Sequence, residues 1–378
     1  MKKRRDHVLI IGSDAMMMYK FHYALISELL SSGRRITIAA PPSVEGDAFI
    51  LQLVARGAAH AELPLSRNGL NPIGDAGGFL AMFRLMRITR PDAVLVYTVK
   101  PVIYGLLAAW LAGVPRRVAL ITGLGYAFTG KAAGRRRAIQ LIVSNLYRQA
   151  LRHASIVLFQ NADDEKKMRA AGILRASTPS QVVDGCGVDV DYYVQAPLPP
   201  WPMRFLMIAR VIADKGVREF VEAARIVRAR HPDVVFRLVG GLDSNPGAIT
   251  AAEIERWVEE GAIVWNGPVN DVVGALADSH VFVLPSYREG LPQSTIEALA
   301  SGRAIVTTDV PGCRETVIDN ETGFLIPPQS AKALAEACLR FVDAPELMTQ
   351  FGRAARHVAE TRFSTQRINA IVIGLIDA

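Results

Sequence analysis

Val281-Phe-Val-Leu-Pro285, Ser286-Tyr-Arg-Glu289-Gly-Leu-Pro292 and Gln293-Ser-Thr-Ile-Glu297-Ala-Leu-Ala-Ser-Gly302 follow one another without a break. The first piece is a short apolar run, the pattern of a strand buried on both faces of a parallel sheet. The last is rich in helix formers and closes on Gly302, a helix stop. The turn between them carries Glu289, and Glu297 follows about two helical turns in. Both carboxylates can therefore border one crevice at the carboxyl end of a strand, where open α/β sheets take ligands. The amides of Gly290 and Leu291, with the helix N-terminus after Pro292, suit a phosphate or sugar oxygen. The plain alternative is a pair of solvated glutamates at a helix start.

The same alternation of apolar run, loop and helix extends in both directions, which argues for parallel sheets. His7-Val-Leu-Ile-Ile11 leads into Gly12-Ser13-Asp14, a strand and turn without the full G-x-G-x-x-G that a dinucleotide site needs. A helix over 16–31 stops at Gly33, and 35–40 is the next strand. A strand over 92–97 runs into Thr98-Val-Lys100, where Lys100 either faces a phosphate or is a solvated loop lysine. After the strand 118–122, Gly123-Leu-Gly125-Tyr126 reads as a place of close backbone approach. Ala196-Pro-Leu-Pro-Pro-Trp-Pro202 is a stiff connector and the clearest boundary in the chain. A second unit starts after it, with strands over 204–209, 234–239 and 263–265 ending at Arg210, Gly241 and Asn266. The expected domains are 1–195 and 196–363. A last helix over 364–378 either returns to the first domain or packs within the second.

Length and composition agree with two globular domains. The chain has 378 residues, half of them apolar and 21% charged. Its 3 cysteines are scattered without metal-ligand spacing, which suggests reduced thiols in a cytosolic protein. No signal peptide is evident, and the apolar run 102–114 is too short to span a bilayer. The net charge of +7 divides into +11 over residues 1–195 and −4 over 196–378. Such an asymmetry calls for an anionic partner of the first half. No nucleic-acid motif accompanies it, so an anionic membrane surface fits better than nucleic acid. The stretch 135–153 places Ile139, Ile142, Val143, Leu146, Tyr147, Ala150 and Leu151 on one helical face, bordered by arginines. That face either covers the sheet or lies in a membrane interface.

Glu289 and Glu297 with seven residues between them, set in Pro-Ser…Glu-Gly-Leu-Pro…Glu-Ala…Ala-Ser-Gly, resemble the E-x7-E signature of the retaining family 4 glycosyltransferases. Val310-Pro-Gly312…Glu315 and Thr322-Gly-Phe-Leu-Ile-Pro-Pro328 resemble the same family, and 97–129 resembles its members that add amino sugars to bacterial lipid-linked glycans. The resemblance implies the GT-B fold, two Rossmann-like α/β domains facing each other across a cleft. It implies a nucleotide diphosphate sugar as donor, UDP-linked, a lipid-linked saccharide as acceptor, and a site peripheral to the inner membrane face.

Arg210 and Lys215, in Ala209-Arg210…Lys215-Gly216, resemble the family's diphosphate clamp, the other reading being a surface basic pair. Glu297 would then take the ribose hydroxyls and Glu289 a hydroxyl of the donor sugar. Gly241, Asn266, Pro268 and Val269 would line the base and phosphates, and Gly12, Ser13, Lys100, Gly123 and Tyr126 the acceptor side. No cofactor and no metal are expected. Asp189-Val-Asp191 has the form of a metal-binding D-x-D, but its setting resembles the segment that leads this family into the linker. Two other functions keep the fold: a UDP-sugar 2-epimerase, which would need a histidine at the cleft, and a nucleotide-sugar-binding module without catalysis.

Overall fold

A computed structural model describes residues 6–43, 46–65, 71–123, 134–243 and 247–378, apart from the side chains at 135 and 136. Tyr126 lies outside the described residues. The chain divides into two compact units, residues 1–186 with 365–378, and residues 187–364.

In the first unit the elements alternate strictly: β1 (His7–Ile11), α1 (Ala15–Ser31), β2 (Arg35–Ala40), α2 (Asp47–Ala55), β3 (Ala59–Glu62), α3 (Pro72–Thr89), β4 (Ala93–Tyr97), α4 (Leu106–Ala112), β5 (Arg116–Ile121), α5 (Gly134–Leu151), β6 (Ile156–Phe159), α6 (Ala162–Ala170) and β7 (Ser180–Val182). The seven strands are parallel in the order β3-β2-β1-β4-β5-β6-β7. β1, β4 and β6 are buried at every position, as expected of strands with helices on both faces. Local chemistry sets the helix starts. Asp14 accepts the Met17 amide at 2.9 Å to cap α1, and Asn161 accepts the Asp164 amide at 2.8 Å to cap α6.

The second unit contains β8 (Arg204–Ile208), α7 (Val217–Arg228), β9 (Val235–Val239), α8 (Ala251–Glu259), β10 (Val264–Trp265), α9 (Val272–Ala277), β11 (Val281–Leu284), α10 (Gln293–Ala300), β12 (Ala304–Thr308), β13 (Gly323–Ile326), α11 (Ala331–Asp343) and α12 (Glu346–Val358). Its parallel sheet runs β10-β9-β8-β11-β12-β13. Both sheets are doubly wound, with the strand order reversing beside the first strand. The switch points lie between β1 and β4 and between β8 and β11, where ligand crevices of open α/β sheets form.

The last helix, α13 (Thr365–Asp377), belongs to the first unit. Ile368, Val372 and Ile376 enter the core layer that holds Met18, Leu25 and Leu29 of α1. Polar ties fix both ends. Asn369 donates to Glu28 at 2.8 Å, Arg34 pairs with Asp377 at 2.8 Å, and Arg116 donates twice to the Leu375 carbonyl at 2.9 and 2.6 Å.

The chain changes unit at 186/187, ahead of the proline-rich connector. Residues 187–195 go with the second unit because Val188 is buried in its core, with Val190 and Tyr193 packed against it. The Val188 amide donates to the Phe363 carbonyl at 2.8 Å. The connector itself is tied down there too. Fully buried Arg303 donates to the carbonyls of Leu276 and Pro197, at 3.0 and 3.2 Å.

The apolar face expected over 135–153 resolves largely toward packing. On α5, Val143, Tyr147, Ala150 and Leu151 are buried in the sheet-covering core, while Leu141 and Ile142 are 64% and 51% exposed. The run 102–114 forms a π-helical turn (Pro101–Gly105) and α4, with Trp110 and Leu111 exposed. Among the described residues no helix is long and apolar enough to cross a membrane.

Candidate active site

The loops after β8, β11 and β12, three neighbouring strands, brace one another at the carboxyl edge of the second sheet. The Tyr287 amide donates to the Asp214 carbonyl at 2.9 Å and the Glu289 amide to the Pro311 carbonyl at 3.1 Å. Two glycines make these approaches possible. Gly216 has φ +75°, and a Cβ there would lie 2.1 Å from the Pro285 carbonyl oxygen. Gly312 has φ +85°, and a Cβ there would lie 2.5 Å from the Glu289 carbonyl oxygen. Any larger residue would push the loops apart and meet backbone strain as well.

Lys215 ends a 3-10 turn (Ala213–Lys215) and its Nζ donates to Glu289 Oε1. The Ser286 hydroxyl donates to the same carboxylate oxygen at 2.8 Å. The side chains of Lys215 and Glu289 are 19% and 12% exposed. The pair thus bridges the switch point, poorly hydrated yet open to a ligand. An ammonium has three donors, and the bond to Glu289 uses one. Beneath the pair, burial and the charge of Glu289 push the Cys313 thiol up to about 12, so it stays protonated.

Further ties hold the turn that carries Glu289. The Tyr287 hydroxyl donates to Glu219 of α7 at 2.7 Å, and Thr308 at the end of β12 donates to the Ser286 carbonyl. Neither Tyr287 nor Glu219 was singled out from the sequence. An aromatic in a loop and a glutamate on a helix give no signal until the fold brings them together.

Arg210 follows β8, and its Nη1 donates to Asp243 at 2.8 Å. Its side chain is 54% exposed. An exposed ion pair of this kind is worth only ~0.2–1 kcal/mol, so the guanidinium can be redirected at small cost. Gly241 accepts the Val211 amide at 3.0 Å, and the Gly240 amide donates to the Gly267 carbonyl at 2.8 Å. Asn266 receives Arg237 Nε at 2.7 Å; Pro268 lies beside Gly241, and Val269 and Leu291 pack against the core. Pro292 occupies the N-cap position of α10 and no side chain caps that helix. Gly290 lies beside Gly312. Glu297 lies on α10, and its charge, after burial, raises the pKa of the nearby Tyr193 phenol.

In the first unit, Gly12 and Ser13 sit at the β1/β4 switch point. A Cβ on Gly12 would lie 2.1 Å from the Tyr97 hydroxyl oxygen, so this glycine makes room for a buried tyrosine. The Thr98 hydroxyl donates to Ser13 Oγ at 2.9 Å. Gly123 has φ +126° just after β5. Lys100 is not the solvated loop lysine of the plainer sequence reading. It is 9% exposed, with Nζ 2.7 Å from Asp75 Oδ1, and the Tyr104 hydroxyl lies 3.3 Å from the other carboxylate oxygen. The π-helical turn after β4 draws the lysine stem inward beside α3, where Asp75 compensates the buried charge. Asp189 also turns inward, onto its own chain. Its Oδ1 accepts the amides of Asp191 and Tyr192, both at 3.0 Å, which is an Asx turn.

The fold and the loop cluster define a class: an α/β protein of two Rossmann-like units with charged loops at a switch point. A model described as glycosyl transferases group 1 matches residues 202–344, and one described as glycosyl transferase 4-like matches residues 8–161. The chain belongs to this family of group 1, family 4-like glycosyltransferases. It is 28% identical over 352 residues to the N,N'-diacetylbacillosaminyl-diphospho-undecaprenol alpha-1,3-N-acetylgalactosaminyltransferase of Campylobacter jejuni, covering 89% of this chain and 90% of that one. Over 161 residues it is 29% identical to the capsular polysaccharide biosynthesis glycosyltransferase CapM of Staphylococcus aureus, 43% of this chain and 42% of the other. Among solved structures, sucrose-phosphate synthase from Thermosynechococcus elongatus superposes with TM-score 0.79 at 18% identity, over 98% of both chains. Anabaena HepE in complex with UDP gives TM-score 0.77 at 17% identity, also over 98% of both. At these identities the structural likeness establishes the shared GT-B fold.

Proposed function

We propose that the protein is a retaining, metal-independent glycosyltransferase. It moves a hexose or N-acetylhexosamine from a UDP-linked donor to a saccharide on a polyprenyl diphosphate, at the inner face of the cell membrane. The observation that carries this reading is the Lys215–Glu289 pair at the β8/β11 switch point, with Glu297 along the helix that follows. Two similarities support the substrates. The Campylobacter jejuni relative is named for an undecaprenol-linked acceptor, and the Anabaena structure holds UDP.

Transfer expels a nucleoside diphosphate, so negative charge grows on the leaving oxygen while the sugar becomes oxocarbenium-like. Fixed cations aimed at that oxygen stabilise the transition state more than the ground state. Lys215 supplies a point charge held by Glu289. Arg210, released from its weak pair with Asp243, supplies a planar fork to the other phosphate oxygens. Glu289 accepts a sugar hydroxyl and Glu297 the ribose hydroxyls. Glu289 is a poor nucleophile because Lys215 and Ser286 already donate to its Oε1. The leaving phosphate oxygen instead takes the acceptor's proton on the face from which it departs, and the configuration is retained.

The membrane assignment rests on the first unit, where Leu141 and Ile142 of α5 and Trp110 and Leu111 of α4 are exposed, with Arg137 and Arg152 also exposed on or beside α5. Incubation with UDP-sugars and a polyprenyl-diphosphate-linked saccharide tests the whole reading. A longer lipid-linked glycan supports it. A sugar epimerised without acceptor, or bound nucleotide sugar without turnover, replaces it with the epimerase or the binding module.

A further inference from the structure

The two carboxylate oxygens of Glu289 stand in different surroundings. Oε1 receives the Lys215 ammonium and, at 2.8 Å, the Ser286 hydroxyl. Among the described residues nothing donates to Oε2, and it is not one of the polar atoms sealed away without a partner, so it faces solvent. The two anchors differ in kind. An ammonium is a point charge with three equivalent donors, and a carboxylate can present either oxygen to it. The terminal torsion of a glutamate is broad and two-fold, so the lysine alone does not fix which oxygen turns outward. Ser286 adds a direction. It is fully buried just after β11, three residues before Glu289. The turn between them is held along its length. The Ser286 carbonyl accepts from the Thr308 hydroxyl, the Tyr287 amide donates to the Asp214 carbonyl at 2.9 Å, and the Glu289 amide donates to the Pro311 carbonyl at 3.1 Å.

We propose that Ser286 is a positioning residue for recognition of the donor sugar: its hydroxyl, with Lys215, commits Oε1 of Glu289 to the protein and leaves Oε2 as the acceptor for one sugar hydroxyl. This rests on the reading of Glu289 as the ligand of the donor sugar. An ionised carboxylate only accepts hydrogen bonds, so the group it reads must donate, and a sugar hydroxyl does. A carboxylate that is already oriented loses little side-chain freedom on binding, a loss that otherwise weakens the ligand. The sugar hydroxyl is present in the ground state and the transition state alike. Losing Ser286 therefore raises KM for the donor rather than lowering kcat. Lys215 keeps its own bond to Glu289, so a nucleotide without a sugar is little affected.

The test is steady-state transfer by the full chain, with the UDP-hexose or UDP-N-acetylhexosamine that it turns over and a polyprenyl-diphosphate-linked saccharide. The parent is compared with Ser286→Ala, Ser286→Cys, Glu289→Ala and the double variant Ser286→Ala/Glu289→Ala. Calorimetric titration with UDP and thermal unfolding without ligand are measured alongside. Ser286→Ala should raise KM for the donor about tenfold, the usual consequence of losing one hydrogen bond to a charged group. Its kcat and its UDP affinity should stay within a few-fold of the parent's. Ser286→Cys, a weaker donor of similar shape, should fall between the two, and it carries the comparison if the alanine variant does not fold. Because Ser286 acts through Glu289, the double variant should lose no more than Glu289→Ala alone. Equal weakening of UDP and donor, or losses that add in the double variant, would mean that Ser286 serves the fold only. A lower kcat at unchanged KM would mean that it acts through Lys215. Each of these overturns the proposal. If Glu289→Ala impairs donor use while both Ser286 variants keep the parent's KM, the positioning role is refuted and the sugar reading of Glu289 stands. If Glu289→Ala uses the donor as well as the parent, or the parent turns over no UDP-sugar, that reading itself falls and takes this inference with it.

Discussion

Lys215 and Glu289 stand on loops that follow neighbouring strands, β8 and β11, and the ammonium of the first is hydrogen-bonded to the carboxylate of the second. They are separated by 74 positions in the chain, and the reversal of strand order puts them side by side. Removing Lys215 therefore does two things. It takes a cation from the leaving diphosphate and leaves Glu289, 12% exposed, without its counter-charge. Lys215→Ala should lower kcat/KM by ~2–4 kcal/mol and stability by ~1–3 kcal/mol. Arg210→Ala should lower kcat/KM on the same scale with a smaller loss of stability, because the Arg210 side chain is 54% exposed and its pair with Asp243 is weak. Steady-state kinetics with denaturant unfolding checks both. Normal turnover in either variant removes that residue from the clamp.

Glu289 and Glu297 should separate in binding. Glu297→Ala should weaken a nucleoside diphosphate that carries no sugar. Glu289→Ala should leave that ligand within a few-fold of the parent and impair use of the intact donor. Isothermal titration giving the opposite pattern would exchange their roles.

The stereochemical prediction is an α-linked product from an α-linked donor, formed at an undiminished rate in EDTA. NMR coupling constants of the new glycosidic bond, with rates before and after chelation, decide it. A β-linked product would require in-line displacement and a different site geometry.

Binding to anionic vesicles should be reversible and salt-sensitive, with each basic group near the surface worth ~1 kcal/mol. Arg135/Arg136/Arg137→Ser should weaken it. Replacing exposed Leu141 and Ile142 by serine should also weaken it at little cost in stability, since neither side chain is in the core. Flotation in which these variants bind as well as the parent at low salt would exclude this surface.

His22 gives a pH prediction. Burial holds its imidazole down to about 4, against 6.5 for an ordinary histidine, and its ring packs 4.3 Å from that of Tyr97. The folded chain binds fewer protons here than the unfolded chain between those values. The neutral histidine's contribution is complete above pH 6.5 and is lost as pH falls toward 4, by ~3 kcal/mol. His22→Leu should flatten the stability–pH curve across that window. An unchanged slope in urea unfolding would show that the ring titrates normally.

Much of the fold was legible because strands buried on both faces read as apolar runs; β1, β4, β6 and β11 are the cases in point. β3, Ala-His-Ala-Glu, and β7, Ser-Gln-Val, were not legible. They lie at the edges of their sheet, carry exposed residues, and become strands only by pairing with β2 and β6. Glu289, Glu297, Arg210 and Lys215 were legible as residue types placed after strands. Their motif also carried the family.

The sequence alone determined two units of alternating strands and helices and the loops that carry the candidate chemistry, because both depend on residues close together in the chain. Tertiary structure decided each side chain's partner: Lys100 with Asp75, Tyr287 with Glu219 and Arg210 with Asp243. These partners are 25 to 68 positions apart. Hydrogen bonds and ion pairs act over a few ångströms in space and leave no periodic trace along the sequence, so the packing of helices on the sheets had to choose them.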